Sequence, residues 1–470
     1  MSMVPGRLRG KSMLLITPAS YIWWTVPFFG IASIAAALEK AGISVGMIDC
    51  QIIKGYKKKI MERVKDYSDA GLVTTIGNIS SVIDIVTQIR EYSPKTRIIL
   101  GGPHATAVYK ELIPRYADIV VLGEGEDTIV ELMQNSDISK VRGIAYWRDG
   151  SIEVNPARPL IEDLDRLPPP AWHLYDLKSY RFADARVPLV SLSTSRGCTH
   201  QCIYCTGFIH GNRIRLRSLE SVLNEIDYLV GRFRAQEINI VDHNFTHYTE
   251  RVKQLCGMII QKGYKNLRFN LHSAIRADIS DTDMFGAMAR AGFNWVGINL
   301  NTALSTDGTR AADREAIKKT KEMLRVFNKL DIKVRLDFIV GLPYNTAETM
   351  REVIATVKGL FNGNPSIRAV SIHMAIPLPG TEFYRIIEEN GRFLRDLTTS
   401  SITYFEKAVY ETDKLKAQDL NYMYTKAHRE ILRNPAYFMR ILKLSPGVFR
   451  VFPRALKYFW DKLFLEGYVN

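Results

Sequence analysis

The chain has 470 residues, of which 46% are hydrophobic and 24% charged, and it carries a net charge of +14. That length supports a sizeable buried core and two or three domains, and the composition excludes disordered, collagen-like and disulfide-scaffold classes. Five cysteines make no even framework, which points to a reducing, cytoplasmic compartment.

Residues 13–38 form an uncharged run long enough to cross a bilayer, but Pro18 and Pro27 interrupt it and Thr17, Ser20, Thr25 and Ser33 dilute it. The run parses as a strand over 13–17, a loop through 21–27 and a helix over 29–41 closed by Gly42. A strand at SVGMIDC follows, then a helix over 57–67, a strand at GLVTTIG, a helix over 83–92 and a strand at RIILGG. A short helix around 107–112, a strand at DIVVLGEGE and a helix over 127–134 complete the alternation. Such βαβ units predict a Rossmann-like, doubly wound parallel sheet over residues 1–140, with ligands bound beyond the carboxyl ends of its strands. Those ends carry Thr75-Ile76-Gly77-Asn78, Gly101-Gly102-Pro103-His104 and Gly123-Glu124-Gly125-Glu126, where glycines let backbone approach a ligand or simply turn the chain.

Residues 141–187 change pattern. A hairpin turning at Asp149-Gly150 is followed by EDLDRLPPPAWHLYDL, which is proline-rich, acidic and reads as an extended linker. A second alternating region over 188–400 supplies strands at LVSLSTS, EINIVDH, RFNLHSA, WVGINLN, KVRLDFIVG and AVSIHMAI, with helices over 219–233, 249–262 and 313–330 between them. Six βα units predict a partial (β/α)6 barrel. Residues 401–470 are helical in pattern and basic, with Arg429, Arg433, Arg440 and Lys443 interleaved with Tyr437, Phe438, Phe449 and Trp460. The pattern fits a helical lid with a solvated basic face, or a peripheral contact at the inner membrane surface.

The chemistry concentrates in RGCTHQCIYCTGF, just after the first barrel strand, where Cys198, Cys202 and Cys205 are spaced C-x3-C-x2-C. Three thiolates on one loop suit a soft metal or cluster, and zinc with His200 or His210 as fourth ligand is the competing arrangement. Cys50 and Cys256 stand alone and read as small buried hydrophobes. His104 reads first as a packing or backbone-bonding residue.

The motif with Tyr204 before its third cysteine resembles the radical S-adenosylmethionine (SAM) superfamily. GGPHAT, LIPRYADIVVLGEGEDTIVELM, RIRLRSLESVLNEIDYL, IVDHNFTHYTERVKQLC, FIVGLPYNTAETM and IPLPGTEFYRIIEENG resemble its subfamily with an N-terminal cobalamin-binding domain, the class B methyltransferases. That resemblance implies a [4Fe–4S] cluster on Cys198, Cys202 and Cys205, SAM chelated to the fourth iron, and an electron from an external reductant protein of flavodoxin or ferredoxin type. It implies a 5′-deoxyadenosyl radical that abstracts hydrogen from an unactivated carbon, followed by methyl transfer from methylcobalamin to a small-molecule or lipid substrate. SAM contacts are carried over to Tyr204, Asp242, Asn244, Arg276, Asn301, Ile339 and Gly341. Cobalamin contacts are carried over to Thr75, Asn78, Gly101, Gly102, Pro103, His104, Gly123 and Glu124.

Two departures stand out: Asn301 occupies the place of the family's usual glutamate, and the first domain lacks the D-x-H-x-x-G cobalamin motif. Oxidative cyclisation or carbon–carbon coupling of a tetrapyrrole or isoprenoid is the alternative on the same scaffold. An RNA-modifying methylthiotransferase would need a second cysteine cluster in a first domain that holds Cys50 alone, so nucleic acid is not the expected partner. A non-catalytic metal-cluster protein that binds membrane or nucleic acid through the basic tail ranks below both.

Overall fold

The computed structural model describes residues 11–20, 25–182, 184–277, 279–302, 314–402 and 407–432, together with Asn434, Pro435, Tyr437, Met439 and Arg440. In chain order, the first domain contains β1 (Ser12–Thr17), α1 (Phe29–Lys40), β2 (Ser44–Asp49), α2 (Tyr56–Val64), β3 (Asp69–Val73), α3 (Ile79–Tyr92) and β4 (Arg97–Gly101). It continues with α4 (Pro103–Ala107), α5 (Tyr109–Leu112), β5 (Ile119–Val121), α6 (Glu126–Gln134) and the hairpin β6 (Ile144–Arg148) and β7 (Ser151–Val154). The sheet order is β2-β1-β3-β4-β5-β6-β7, parallel from β2 through β5 and antiparallel at the hairpin. The strand order reverses between β1 and β3, which opens a crevice at their carboxyl ends. Alternate side chains of β1 feed two cores: Leu14 and Ile16 on one face, Met13 and Leu15 on the other.

The hairpin turns at Asp149-Gly150 as expected, and its strands extend the first sheet. Three expected boundaries move for local reasons. The Asn78 side chain accepts from Thr75 N at 2.7 Å and donates to Val73 O at 3.2 Å, so the strand ends at Val73 and α3 starts at Ile79, a turn early. Pro103 starts its helix four residues before the expected one, and the helix breaks at Val108. The loop residues 21–24 lie outside the described residues.

The linker is not simply an extended tether. Trp172, Tyr175, Leu177 and Tyr180 are buried in the apolar core that runs from α1 into the barrel. The Tyr180 hydroxyl donates to Asp49 Oδ2 at 2.6 Å and that of Tyr175 to Phe28 O at 3.1 Å. These contacts bolt the linker to the first sheet.

The second domain contains β8 (Leu189–Leu192), the short strands β9 (Ser195–Arg196) and β10 (Arg215–Leu216), α7 (Leu219–Phe233), β11 (Glu237–Ile240), α8 (Thr249–Lys262), β12 (Arg268–Arg276) and α9 (Thr282–Arg290). It continues through β13 (Phe293–Asn299), α10 (Arg314–Lys329), β14 (Lys333–Val340), α11 (Ala347–Gly363), β15 (Ile367–Met374) and α12 (Glu382–Asn390). Strands β8-β11-β12-β13-β14-β15 pair in parallel and form the partial barrel of six strands. On β14, residues 334, 336, 338 and 340 pack outward against helices while Arg335, Asp337 and Ile339 face the other side, the lumen. The small pair β16 (Gly391–Phe393) and β17 (Tyr410–Thr412) precedes α13 (Ala417–Leu432). Of the basic, aromatic tail, residues 441–470 lie outside the described residues. Among the described residues no helix is long and apolar enough to cross a membrane.

Candidate functional site

The cysteine loop is closed at its base by the antiparallel pairing of β9 with β10, which sets Arg196 opposite Arg215. Gly197 at the loop entrance has φ +88°, and any Cβ there would run into the Arg213 carbonyl. Within the loop, Cys205 N donates to Cys202 O at 3.0 Å and Gly207 N donates to the Cys205 Sγ at 3.4 Å. Cys198 and Cys202 are half-buried, while Cys205 is exposed. Desolvation by the surrounding protein raises the Cys205 thiol above its ordinary value, and the neighbouring Cys202 and Cys198 add to this against the Gly207 N–H. The three thiols therefore lie within one another's field. Among the described residues no group of three His, Cys, Asp or Glu is placed to hold a single metal ion. His210 gives Nδ1 to Glu124 and His200 lies edge-on to His247, so neither expected zinc partner completes such a set. An all-thiolate donor set spread along a loop fits a polynuclear iron–sulfur cluster.

Tyr204 reaches across the barrel mouth. Its hydroxyl is hydrogen-bonded with the Asn299 side chain at the end of β13 and with Cys202, and burial, then the Cys202 charge, push it above its usual value. Beside it, Arg276 and Asn299 pair in register, and Ile339 N donates to Asn301 Oδ1 at 3.0 Å. Gly341, at φ +86°, accepts from the Tyr410 hydroxyl and would place a Cβ 2.6 Å from Leu420. Thus Tyr204, Arg276, Asn301, Ile339 and Gly341 lie near one another at the carboxyl ends of β12, β13 and β14. Deeper in the lumen, Arg335 forks onto Asp337 at 2.7 and 2.9 Å.

Asp242 and Asn244 are used differently. The Asp242 carboxylate accepts from Thr194 N at 2.6 Å, Thr194 Oγ1 at 2.5 Å and Ser195 Oγ at 2.7 Å, and it is wholly buried. Burial pushes its carboxyl pKa up against those bonds. It fixes the turn that leads into the cysteine loop. Asn244 lines a small recess behind that turn with Thr194 and Arg251.

A cavity of about 550 Å³ lies between the crevice of the first sheet and the barrel. Thr75, Gly101, Gly102, Pro103, Gly123 and Glu124 line it, and Asn78 and His104 do not. The Asn78 amide is spent on its own turn, and the buried His104 donates Nε2–H to Thr398 O at 2.8 Å, as its packing reading anticipated. At Gly71 a Cβ would lie 2.9 Å from Leu15 Cδ2, and at Gly125 one would lie 2.9 Å from Ile34 Cδ1, so glycine keeps the crevice beneath α1 open. Gly102 has φ +101°, with its Cβ position 2.7 Å from Thr74 O. The glycine-lined crevice, continuous with a large apolar cavity, fits a bulky flat cofactor seated on the carboxyl ends.

Glu124 is a latch rather than an open cavity ligand. Its Oε1 receives Arg215 at 2.8 Å, His210 Nδ1 at 3.0 Å and Arg196 at 3.3 Å, while Oε2 receives Arg215 at 2.9 Å and Ile161 N at 2.8 Å. Arg196 also bonds Glu126 at 2.6 Å, and Glu126 accepts from Ser33 Oγ at 2.8 Å. Burial pushes the Glu124 carboxyl up, but His210, Arg215, the Ile161 N–H and Arg196 together hold it well below the carboxylate range. This buried set joins the first sheet to both arms of the cysteine loop. Arg196 and Arg215 were missed in the sequence, where His210 was read only as a competing zinc ligand and Glu126 only as part of a glycine-rich strand end. The one available signal was an arginine on each side of the cysteine cluster.

Two family models match the chain: the B12 binding domain over residues 25–133 and the radical SAM superfamily over residues 192–357. The chain is a radical SAM protein with a B12-binding domain. It is 27% identical to the uncharacterized methyltransferase PH0819 of Pyrococcus horikoshii, over 82% of this chain and 84% of that protein. It is 29% identical to the anaerobic magnesium-protoporphyrin IX monomethyl ester cyclase of Synechocystis, over 79% of this chain and 75% of the cyclase. Among solved structures it shares the fold of the radical SAM methyltransferase TsrM from Kitasatospora setae, with a TM-score of 0.64, 18% identity and coverage of 81% and 75% of the two chains. That structure holds cobalamin and a [4Fe–4S] cluster. The expected order, a Rossmann-like B12 domain followed by the radical SAM domain, is the observed one. In this radical SAM protein both matched domains present their carboxyl-end faces to one cavity.

Proposed function

We propose that this radical SAM enzyme methylates an unactivated carbon of a small molecule held between its two domains. The observation that carries the reading is the shared cavity, which is bounded on one side by the B12 crevice and on the other by the barrel wall beside the cysteine loop. When bound, the cluster supplies an electron, SAM a hydrogen-abstracting fragment and a methyl group, and cobalamin a methyl carrier.

The protein's own part is placement and exclusion of water. Cys198, Cys202 and Cys205 would hold the cluster, with their loop fixed below by the arginine latch and above by Tyr204 on Asn299. Ile339 would offer SAM an apolar edge and Asn301 a neutral amide in place of a carboxylate, while Gly341 makes room beside them for Leu420 and Tyr410. Gly101, Gly102 and Gly123 admit the corrin close to backbone. Residues 398–402 strap the B12 side: Thr398 O receives His104, Ser401 and Ser80 exchange bonds at 2.8 and 2.7 Å, and Ile402 N donates to Ile76 O at 3.0 Å. An external electron-donor protein and a peripheral membrane contact through the basic tail complete the reading.

Likeness to the ester cyclase supports a second reading, oxidative ring closure on the same scaffold. Products separate the two. Methylation releases S-adenosylhomocysteine together with 5′-deoxyadenosine, whereas cyclisation releases 5′-deoxyadenosine alone. Reconstituted protein should yield both under reductant with cell extract as substrate source, and 5′-deoxyadenosine alone would select the cyclase reading.

A further inference from the structure

The interdomain cavity changes character along its length. Toward the first sheet its wall is apolar, with Leu15, Ile31, Val73 and Ile99, whereas toward the barrel it is polar, with Ser191, Ser193, Asn239 and His243. The charged residues on that wall, Glu124, Glu126 and Arg196, are already paired, with Arg215 behind them supplying the second positive charge.

Two polar groups remain open. Asn239 on β11 is 5% exposed, and its Oδ1 has no hydrogen-bond partner among the described residues. His243, which is exposed to solvent, also lines this cavity, its ring edge-on to His210 at 5.1 Å. Desolvation by the surrounding protein, then the His210 and Arg196 charges, lower the His243 imidazole from its ordinary value and so favour its neutral form. A buried acceptor left without a partner is costly, and its natural complement is a ligand donor.

We propose that Asn239 and His243 form the recognition end of the substrate site, taking an uncharged hydroxyl or N–H group on an otherwise apolar molecule. The inference rests on reading this cavity as the reaction chamber. A hydroxyl can donate to Asn239 Oδ1 and accept from the imidazole N–H. A carboxylate or phosphate would lose its hydration to a neutral amide, a neutral imidazole and an arginine that is already paired, and an ammonium would find no free acid. The amide side chains of a corrin carry the same hydrogen-bonding chemistry, so the test must separate them from substrate.

Anaerobic holoenzyme, loaded with iron–sulfur cluster and cobalamin and shown first to cleave SAM, is titrated calorimetrically with octan-1-ol, octanoate and octan-1-amine. Octan-1-ol should bind, with both charged homologues weaker by about tenfold or more. Asn239→Leu and His243→Phe should each weaken octan-1-ol by about tenfold while iron and cobalamin content stay at wild-type levels. The near-isosteric Asn239→Asp, which preserves the packing, should shift preference toward octan-1-amine. Octanoate binding as tightly as the alcohol, absence of alcohol binding, or unchanged affinity in the variants would each overturn the proposal. So would loss of cobalamin from the variants with alcohol affinity retained, which would assign the groups to the corrin. Failure of wild-type protein to cleave SAM in the preliminary assay would overturn the functional reading instead.

Discussion

Replacing Glu124 with Gln keeps the side chain's shape and removes its charge from the centre of the interdomain latch. Glu124, Arg215 and Arg196 have side-chain exposures of 3%, 2% and 10%, so solvent screening does little to weaken these pairs. The substitution leaves the buried Arg215 with no carboxylate partner and Arg196 with Glu126 alone, and it points an amide NH2 at donors. Breaking one partner of a buried pair costs about 3–5 kcal/mol, against total stabilities of about 5–15 kcal/mol. At about 2–4 °C per kcal/mol, the melting temperature should fall by about 10 °C. Because the folded-state carboxyl is held well below its unfolded value, its contribution is present above about pH 4.3 and is lost as pH falls through the lower folded value. The deficit of the variant should therefore be full at neutral pH and shrink only in strong acid. The assay is thermal unfolding followed by near-ultraviolet circular dichroism, with limited proteolysis in residues 141–187 reporting domain separation. A variant that melts with wild type at neutral pH and resists proteolysis equally would refute the latch.

Cys202→Ala should abolish iron–sulfur absorbance and 5′-deoxyadenosine release while leaving the fold intact by circular dichroism; retained cleavage would remove Cys202 from the cluster. Gly102→Ala forces a side chain into φ +101° with its Cβ 2.7 Å from Thr74 O, and it should cost about 1–3 kcal/mol and reduce cobalamin retention on purification. Asn301→Leu strands the Ile339 N–H, which should cost about 1–3 kcal/mol and raise the SAM concentration needed for half-maximal cleavage, with cluster content unchanged.

Both sheets and the cysteine loop were legible because their signals are local. Alternating apolar runs and glycine-terminated strands need no knowledge of distant chain, and three cysteines within eight residues announce themselves. What was not legible depends on partners far apart in sequence. Glu124 sits on a glycine-rich strand end and so reads as a cofactor contact, yet Arg215, its principal partner, lies 91 residues away. Asp242 likewise reads as a SAM contact from its motif, while the donors that claim it lie about 48 residues earlier. The linker's prolines and acids predicted an extended segment, but its Trp172 and Tyr180 find a core only when both domains are present. Asn239 and His243 gave no sequence signal. Asn239 draws interest from a buried Oδ1 with no hydrogen-bond partner among the described residues, and His243 from facing the same cavity, which only the folded chain reveals.

The central claim is that one polypeptide holds an iron–sulfur cluster and cobalamin against a common cavity. Electron paramagnetic resonance of dithionite-reduced protein carrying both groups tests it most directly, because two paramagnets across one chamber relax each other. The predicted result is a cob(II)alamin signal broadened and fast-relaxing in wild type and restored to its isolated form in Cys202→Ala. Two independent signals in wild-type protein, unchanged by that substitution, would contradict the account.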